Sequence, residues 1–288
     1  MTPLRRHARR AGKCSTGQAT GVAWWHGPSA ERRNARRSAA SPAQARALPS
    51  ARGRARPTRL PICQSPSSIP PMSAFITFEG IEGCGKTTQA RLLAEHLRSA
   101  GREAVLTREP GGTELTEQIR ALLADPESRL DRHAELLLFL ADRAQHVASV
   151  IRPGLARGAV VISDRYSDST MAYQGHGRGH DLDWLRTLNA WACLDTVPDL
   201  TLWIDCDIET GVRRATKETG GPGDRVESEP IEFHRRVRAG FVEQHAEAPD
   251  RIVRLDGDAT IQVIAADVIR VVEAHLAAGG GIASGDNV

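Results

Sequence analysis

The stretch Phe78 to Gln89, FEGIEGCGKTTQ, constrains this chain more than any other part of it. Gly80, Gly85, Lys86 and Thr87 fit the pattern GxxxxGK[ST], with Ile81, Glu82, Gly83 and Cys84 filling the loop and Thr88 following it. Glycine-rich backbone of this kind lets several N–H groups converge on phosphate oxygens, while the next helix points its positive end at them. Lys86 adds a positive charge, and the Thr87 hydroxyl is a ligand of the kind Mg²⁺ takes. Such a loop needs a strand before it and a helix after it. Both flanks fit: apolar AFITF precedes it, and Ala90, Leu93, Ala94 and Leu97 mark one face of a helix over Thr88 to Ser99.

From Met72 onward, short β-rich runs alternate with longer segments of helical period, which predicts an α/β domain built on a parallel sheet. The expected strands are Ala74 to Glu79, Glu103 to Thr107, Ala159 to Ser163, Leu200 to Asp205 and Ile252 to Leu255. Further helices are expected over Glu135 to Val150, Asp183 to Asp195, Glu232 to His245 and Ile261 to Leu276. Right-handed crossovers between neighbouring strands then give one doubly wound domain with five parallel strands and helices on both faces.

The first 71 residues differ in kind. They hold 14 of the 38 Lys and Arg against a single acid, Glu31, whereas residues 72 to 288 hold 24 basic against 34 acidic groups. Clusters such as RRHARR and ERRNARR stand among Pro, Ser and Ala with no apolar period, so disorder is expected. Three readings compete: an Arg- and Ser-rich leader, a nucleic-acid tail, and a translation start that truly falls at Met72. The last is favoured, because Met72 stands two residues before the first strand-like run. Five cysteines, Cys14, Cys63, Cys84, Cys193 and Cys206, form no metal-ligating spacing and are too few for a disulfide scaffold, which suits a reducing cytoplasmic setting. No apolar run approaches the roughly 18 residues that cross a bilayer.

Chemistry gathers where strands end. In AVVISDR, Asp164 closes an apolar strand, so its carboxylate can reach a metal held by the phosphate loop, with Arg165 beside it. A carboxylate at a strand end is otherwise an ordinary helix cap, and the neighbouring motifs decide between the two. They are LTREPGGT over 106 to 113, LLLFLADR over 136 to 143 and DRYSDSTMAYQGHGR over 164 to 178.

Together with the phosphate loop, these stretches resemble thymidylate kinase of the bacterial type, over about residues 73 to 277. The resemblance implies a P-loop NTPase-type fold with a mobile lid, residues 72 to 277 as the kinase domain and 278 to 288 as a flexible tail. It implies transfer of the γ-phosphoryl group of MgATP to dTMP, with no nucleic acid or membrane partner and a homodimer as the usual assembly. Residue by residue, Arg108 would hold the dTMP phosphate by a bidentate fork, and the bond before Pro110 would be cis. Phe139 would stack on thymine, and Arg143, one helical turn on, would bond its edge. Without the resemblance, Phe139 reads as core. Arg165 would bridge the acceptor phosphate and the transferring group. Ser169, Thr170 and Gln174 would serve the base and phosphate, although Ser169 or Thr170 also reads as a plain helix cap. Tyr173 would pack where a ribose 2′-hydroxyl would go, and Glu82 would meet the sugar 3′-hydroxyl.

By the same resemblance, residues 206 to 232 are the lid, with Gly220, Gly221, Pro222 and Gly223 as its punctuation. The bacterial type puts a small residue at the Cys84 position and carries its catalytic arginine in the lid. Here the lid cations are Arg213, Arg214, Lys217 and Arg225, and Lys217 stands where the family commonly has another Arg. Arg214 and Lys217 are the candidates for the transferred phosphate, and Arg225 for stabilising the closed form or touching ADP. Two rival classes are another nucleotide or deoxynucleoside kinase, and a nucleotide-switched regulator; the second should carry an NKxD-like guanine signature, which the sequence lacks.

Overall fold

The structure is a computed structural model that describes residues 73–219 and 224–279. The expectations for 1 to 71, for the glycine cluster at 220–223 and for the end of the tail therefore lie outside the described residues, and Lys217 is described through its backbone alone.

Five parallel strands form one sheet in the order β2-β3-β1-β4-β5: β1 Ala74–Glu79, β2 Ala104–Arg108, β3 Val160–Asp164, β4 Leu200–Asp205 and β5 Ile252–Asp256. Every residue of β1 and β4 is buried. Continuous apolar runs follow from that burial, since helices cover both faces of a parallel sheet. Adjacent Phe75 and Ile76 accordingly enter different core clusters, one with Val147 and Ile151, the other with Leu93 and Val268. Where the sequence places β2 and β3 one residue early, the ladder pairs Arg108 with Asp164 and carries both strands on to those residues. In the same register Phe78 pairs with Asp164. The strand ends of the three central motifs thus lie side by side at the carboxyl edge, where ligands collect in open α/β sheets.

Helix α1 spans Lys86–Ser99. It starts two residues earlier than expected because the loop's last turn is made at Gly85, whose φ of 103° only glycine adopts readily. Helix α2, Glu114–Ala124, is not anticipated by the apolar period. Its signal is the cap: Thr113 accepts from the Thr116 N–H, and Thr116 returns the bond, where a capping box usually has Glu or Gln. Helix α3, Arg132–His146, is capped by Asp131 and runs into a π-helical stretch, Val147–Ile151, and then α4, Arg152–Ala156. After β3 come α5, Ser167–Thr170, and a second π-helical stretch, Met171–Gly177. The remaining helices are α6 Leu182–Cys193, α7 Ile208–Thr219, α8 Ile231–Glu247 and α9 Ile261–Ala277. Among the described residues no helix is long and apolar enough to cross a membrane.

Candidate active site

The phosphate loop sits between the end of β1 and the start of α1, and α7 crowds against it. A side chain at Gly83, where φ is 65°, would put its Cβ 2.0 Å from the Gly211 carbonyl. Ile81 and Cys84 are buried beneath the loop, whereas Thr87 is exposed. Lys86 donates to the Ile81 carbonyl at 2.7 Å and contacts the Cys84 sulfur at 3.5 Å, so its ammonium is curled into its own loop. The Thr87 hydroxyl donates to Asp164 Oδ2 at 2.5 Å. These are two hard oxygen donors of the type magnesium prefers, and the described residues hold no cluster of three His, Cys, Asp or Glu that would form a complete cage. The donor set suits an ion that draws its other ligands from phosphate and water.

Glu82 faces inward from the loop. Its Oε1 accepts from Arg165 Nη2 at 2.9 Å and from the Tyr173 hydroxyl at 2.7 Å. Burial pushes this carboxyl up, but the Arg165 charge, a contact with His234, the Lys86 charge and the Tyr173 hydroxyl together bring it down to about 2. Arg165 also donates to the Gly80 carbonyl, and its guanidinium lies 4.8 Å from the centre of the Tyr173 ring. Behind it Glu79 accepts from the Tyr166 and Ser169 N–H groups and from the Ser169 hydroxyl. Burial, then the Asp168 charge, pushes Glu79 up to about 8. Ser169 is therefore tied to Glu79 and Arg165 instead of capping α5, whose cap position is Tyr166.

Arg143 is buried and saturated to all but one of its five N–H groups. It donates to Glu109 Oε2 at 2.8 Å, the Thr170 hydroxyl at 2.6 Å, Asn189 Oδ1 at 2.9 Å and the Tyr166 carbonyl at 3.0 Å. Glu109 Oε1 in turn meets His146 Nδ1 at 2.8 Å, and His146 Nε2 meets the Thr107 hydroxyl at 2.6 Å. Gly112 is closed in by the same ring: a Cβ there would fall 2.9 Å from His146. The Glu109–Pro110 bond is cis. Asp142 accepts from the Gly111 N–H and is pushed up to about 8 by burial and the Glu109 charge. By contrast Arg108, half exposed, is held only by Glu117 at the surface.

Gln174 donates to Glu135, which also takes Arg178 and Arg225. Two salt-bridged arginines outweigh the effect of burial and keep the Glu135 carboxyl low. Arg225, expected to stabilise the closed form or touch ADP, bonds Glu135 and the Leu123 carbonyl. Arg214 reaches the Gly257 carbonyl at the turn after β5, at 3.3 Å, and exposed Arg213 folds back on Thr210. Neither Arg213 nor Arg214 is among the residues that line the cavity around Lys86.

What the structure does bring together is one cavity of about 280 Å³. Glu82, Gly83, Lys86, Thr87 and Asp164 line it together with Arg108, Phe139, Arg143, Thr170 and Gln174, and with Arg165, Ser169 and Tyr173. Arg120 of α2 also lines it, and no sequence signal points to that residue because its helix was not foreseen. Glu109, Asp142 and His146 were missed although the first two lie inside quoted motifs, since nothing in spacing tells a buried partner from a solvated charge. Glu135 could have been found: with Phe139 and Arg143 it repeats every four residues on one face of α3.

Comparison with known proteins gives the following. Residues 78–268 match the family model described as thymidylate kinase. The thymidylate kinase of Nostoc sp. is 46% identical over 204 residues, covering 70% of this chain and 96% of that protein. That of Trichlorobacter lovleyi is 51% identical over 193 residues, covering 65% and 90%. The crystal structure of thymidylate kinase from Ehrlichia chaffeensis superimposes with a TM-score of 0.59 at 40% identity, covering 70% of this chain and 99% of that one.

Proposed function

The chain belongs to the thymidylate kinase family, and from that premise we propose how its own residues carry the reaction. It is a kinase that moves the γ-phosphoryl group of ATP to dTMP, giving dTDP and ADP. The observation that carries the assignment of residues is the single cavity that joins the Phe139–Arg143–Gln174 surface to Lys86. Phosphoryl transfer asks little covalent chemistry of a protein, so positioning and charge neutralisation supply the rate.

On the acceptor side, Phe139 stacks on the thymine ring. Glu135 engages the Gln174 NH₂ group, which leaves the amide carbonyl to accept, and Arg143 keeps one N–H to donate. An acceptor and a donor side by side match the N3–H and O4 of thymine and mismatch cytosine. Arg108 takes the dTMP phosphate, Tyr173 fills the space of a 2′-hydroxyl, and Glu82 receives the sugar 3′-hydroxyl. Arg165 spans the acceptor phosphate and the transferred group.

On the donor side, loop N–H groups from Gly80 to Thr88 and the Lys86 ammonium hold the β- and γ-phosphates. Magnesium, held by Thr87 with Asp164 behind it, would neutralise phosphate charge. Arg214 and Lys217 are the cations assigned to the closed lid, and Arg225 fixes Glu135. Residues 72 to 277 contain all of these groups. The enzyme works in the cytoplasm as a homodimer formed through the apolar faces of α2, α3 and α6, where Leu115, Leu137 and Trp191 are exposed.

A coupled ADP-release assay across dTMP, dUMP, dCMP, AMP and thymidine tests the reading. Turnover is expected with dTMP and, more weakly, dUMP, with dCMP at least about 100-fold poorer because its edge leaves buried polar groups unpaired. No turnover with dTMP, or faster turnover of thymidine, would overturn it.

A further inference from the structure

His234 lies in the first turn of α8, fully buried, and neither of its ring nitrogens has a hydrogen-bond partner among the described residues. Facing it is Glu82 Oε2, also buried and also without a hydrogen-bond partner, although the carboxylate's other oxygen is doubly engaged. His234 Nδ1 and Glu82 Oε2 stand 3.4 Å apart, a few tenths of an ångström beyond a normal N–H···O bond. Buried polar atoms left unpaired are disfavoured, and each of these is the other's available partner.

The approach is imposed by packing. Helix α8 lies so close to the Met171–Gly177 stretch that a Cβ at Gly177 would fall 2.7 Å from the Phe233 ring, and one at Gly240 2.6 Å from His176. The Arg178 guanidinium covers the Phe233 ring at 4.7 Å. His234, next to Phe233, is thereby held against Glu82 of the phosphate loop. Arg165 and Lys86 already supply positive charge to Glu82, so the ring's contribution is direction: an Nδ1–H, present in one neutral tautomer as well as in the cation.

We infer that His234 is a positioning residue, which donates from Nδ1 to Glu82 Oε2 and fixes the plane of that carboxylate toward the acceptor sugar. The inference deepens the proposed function and rests on its assignment of Glu82 to the 3′-hydroxyl. Nothing in the sequence singles out His234, since a lone histidine in a helix is usually a packed one.

The test uses the full chain with saturating MgATP, comparing dTMP with 3′-deoxythymidine monophosphate in wild type, E82A, H234L, H234N and E82A/H234L. The H234L variant should raise KM for dTMP about tenfold or more, the size of a lost hydrogen bond to a charged group, and shrink the preference for a 3′-hydroxyl by the same factor. The KM for ATP should stay within about twofold, because Lys86 and the Thr87–Asp164 pair are untouched. The H234N variant, whose amide N–H falls near the Nδ1 position, should remain within about threefold of wild type. The double variant should be no worse than E82A. An H234L enzyme that keeps the full 3′-hydroxyl preference while E82A loses it would overturn the inference and leave the Glu82 assignment standing. If E82A itself keeps the preference, the Glu82 assignment fails and the inference with it. Should H234L not fold, H234N is compared with H234Q, whose nitrogen falls near Nε2: impaired H234Q beside a near-normal H234N supports the inference, and equal behaviour of the two overturns it.

Discussion

The two sides of the cavity are built differently. On the acceptor side, Arg143 with Glu109 and His146, and Glu135 with Gln174, Arg178 and Arg225, form buried networks in which nearly every donor has a partner. On the donor side, Lys86 bonds only its own loop, Thr87 is exposed, and Arg213 and Arg214 bond Thr210 and the Gly257 carbonyl. A neutral base must be recognised by shape and by a few fixed hydrogen bonds, which demands preorganisation. Triphosphate charge supplies its own strong attraction, so cations can wait in loosely held positions. Acceptor-side substitutions should therefore disturb folding and function together, and donor-side ones function alone.

The largest effect should come from Lys86→Met. It removes charge from the phosphates and is expected to lower kcat about 10³-fold in steady-state assays, with little change in melting temperature. A large fall in melting temperature would break the contrast. Next is Arg143→Leu, which strands the Glu109 carboxylate in the core. Breaking one partner of a buried pair costs about 3–5 kcal/mol, to be read by denaturant unfolding alongside loss of dTMP binding. Third, Arg108→Ala removes a half-exposed fork bonded only to Glu117. It should raise KM for dTMP about 10- to 100-fold and leave stability almost unchanged, which would show that even on the acceptor side the phosphate contact is separable from the base network.

The pH dependence sharpens the same comparison more gently. Asp142 and Glu79 both have carboxyls pushed up to about 8, from 3.8 and 4.5, mainly by burial. A group with a raised folded pKa binds its proton more tightly in the native state. Its contribution is complete below the unfolded value and declines as pH rises toward 8. Stability should fall between about pH 5 and 8, and Asp142→Asn, which can still accept from the Gly111 N–H, should flatten that slope in melts across the range. Glu82 acts in the opposite sense: held down at about 2, it withdraws stability only as pH falls below 4.5. The smallest expected effect is the difference between two lid arginines. Arg214→Ala should lower kcat more than Arg213→Ala, and equal, negligible losses would remove Arg214 from the donor side.

How far the sequence reveals all this depends on whether a feature is local. Strands β1 and β4 are legible to the residue because their apolar runs are bounded by a glycine turn and by charged residues. The edges of β2 and β3 are not, since it is the ladder between Arg108 and Asp164 that carries them one residue further. The π-helical stretches Val147–Ile151 and Met171–Gly177 leave no trace, because their apolar spacing differs little from that of an α-helix. In the site, residues that present a distinctive group at a helix start or a strand end, Lys86, Arg108 and Asp164, stand out. Those defined by a distant partner do not: Glu109 needs His146, 37 positions away, and Arg225 is paired with Glu135, 90 positions away.

The central claim is that one cavity brings the two nucleotides tail to tail. A crystal structure with dTMP, magnesium and a non-hydrolysable ATP analogue tests it most directly. The account predicts thymine on Phe139 and the dTMP phosphate between Arg108 and Arg165, in line with a γ-phosphate held by Lys86. Thymine bound elsewhere, or the two phosphate tails separated by protein, would contradict it.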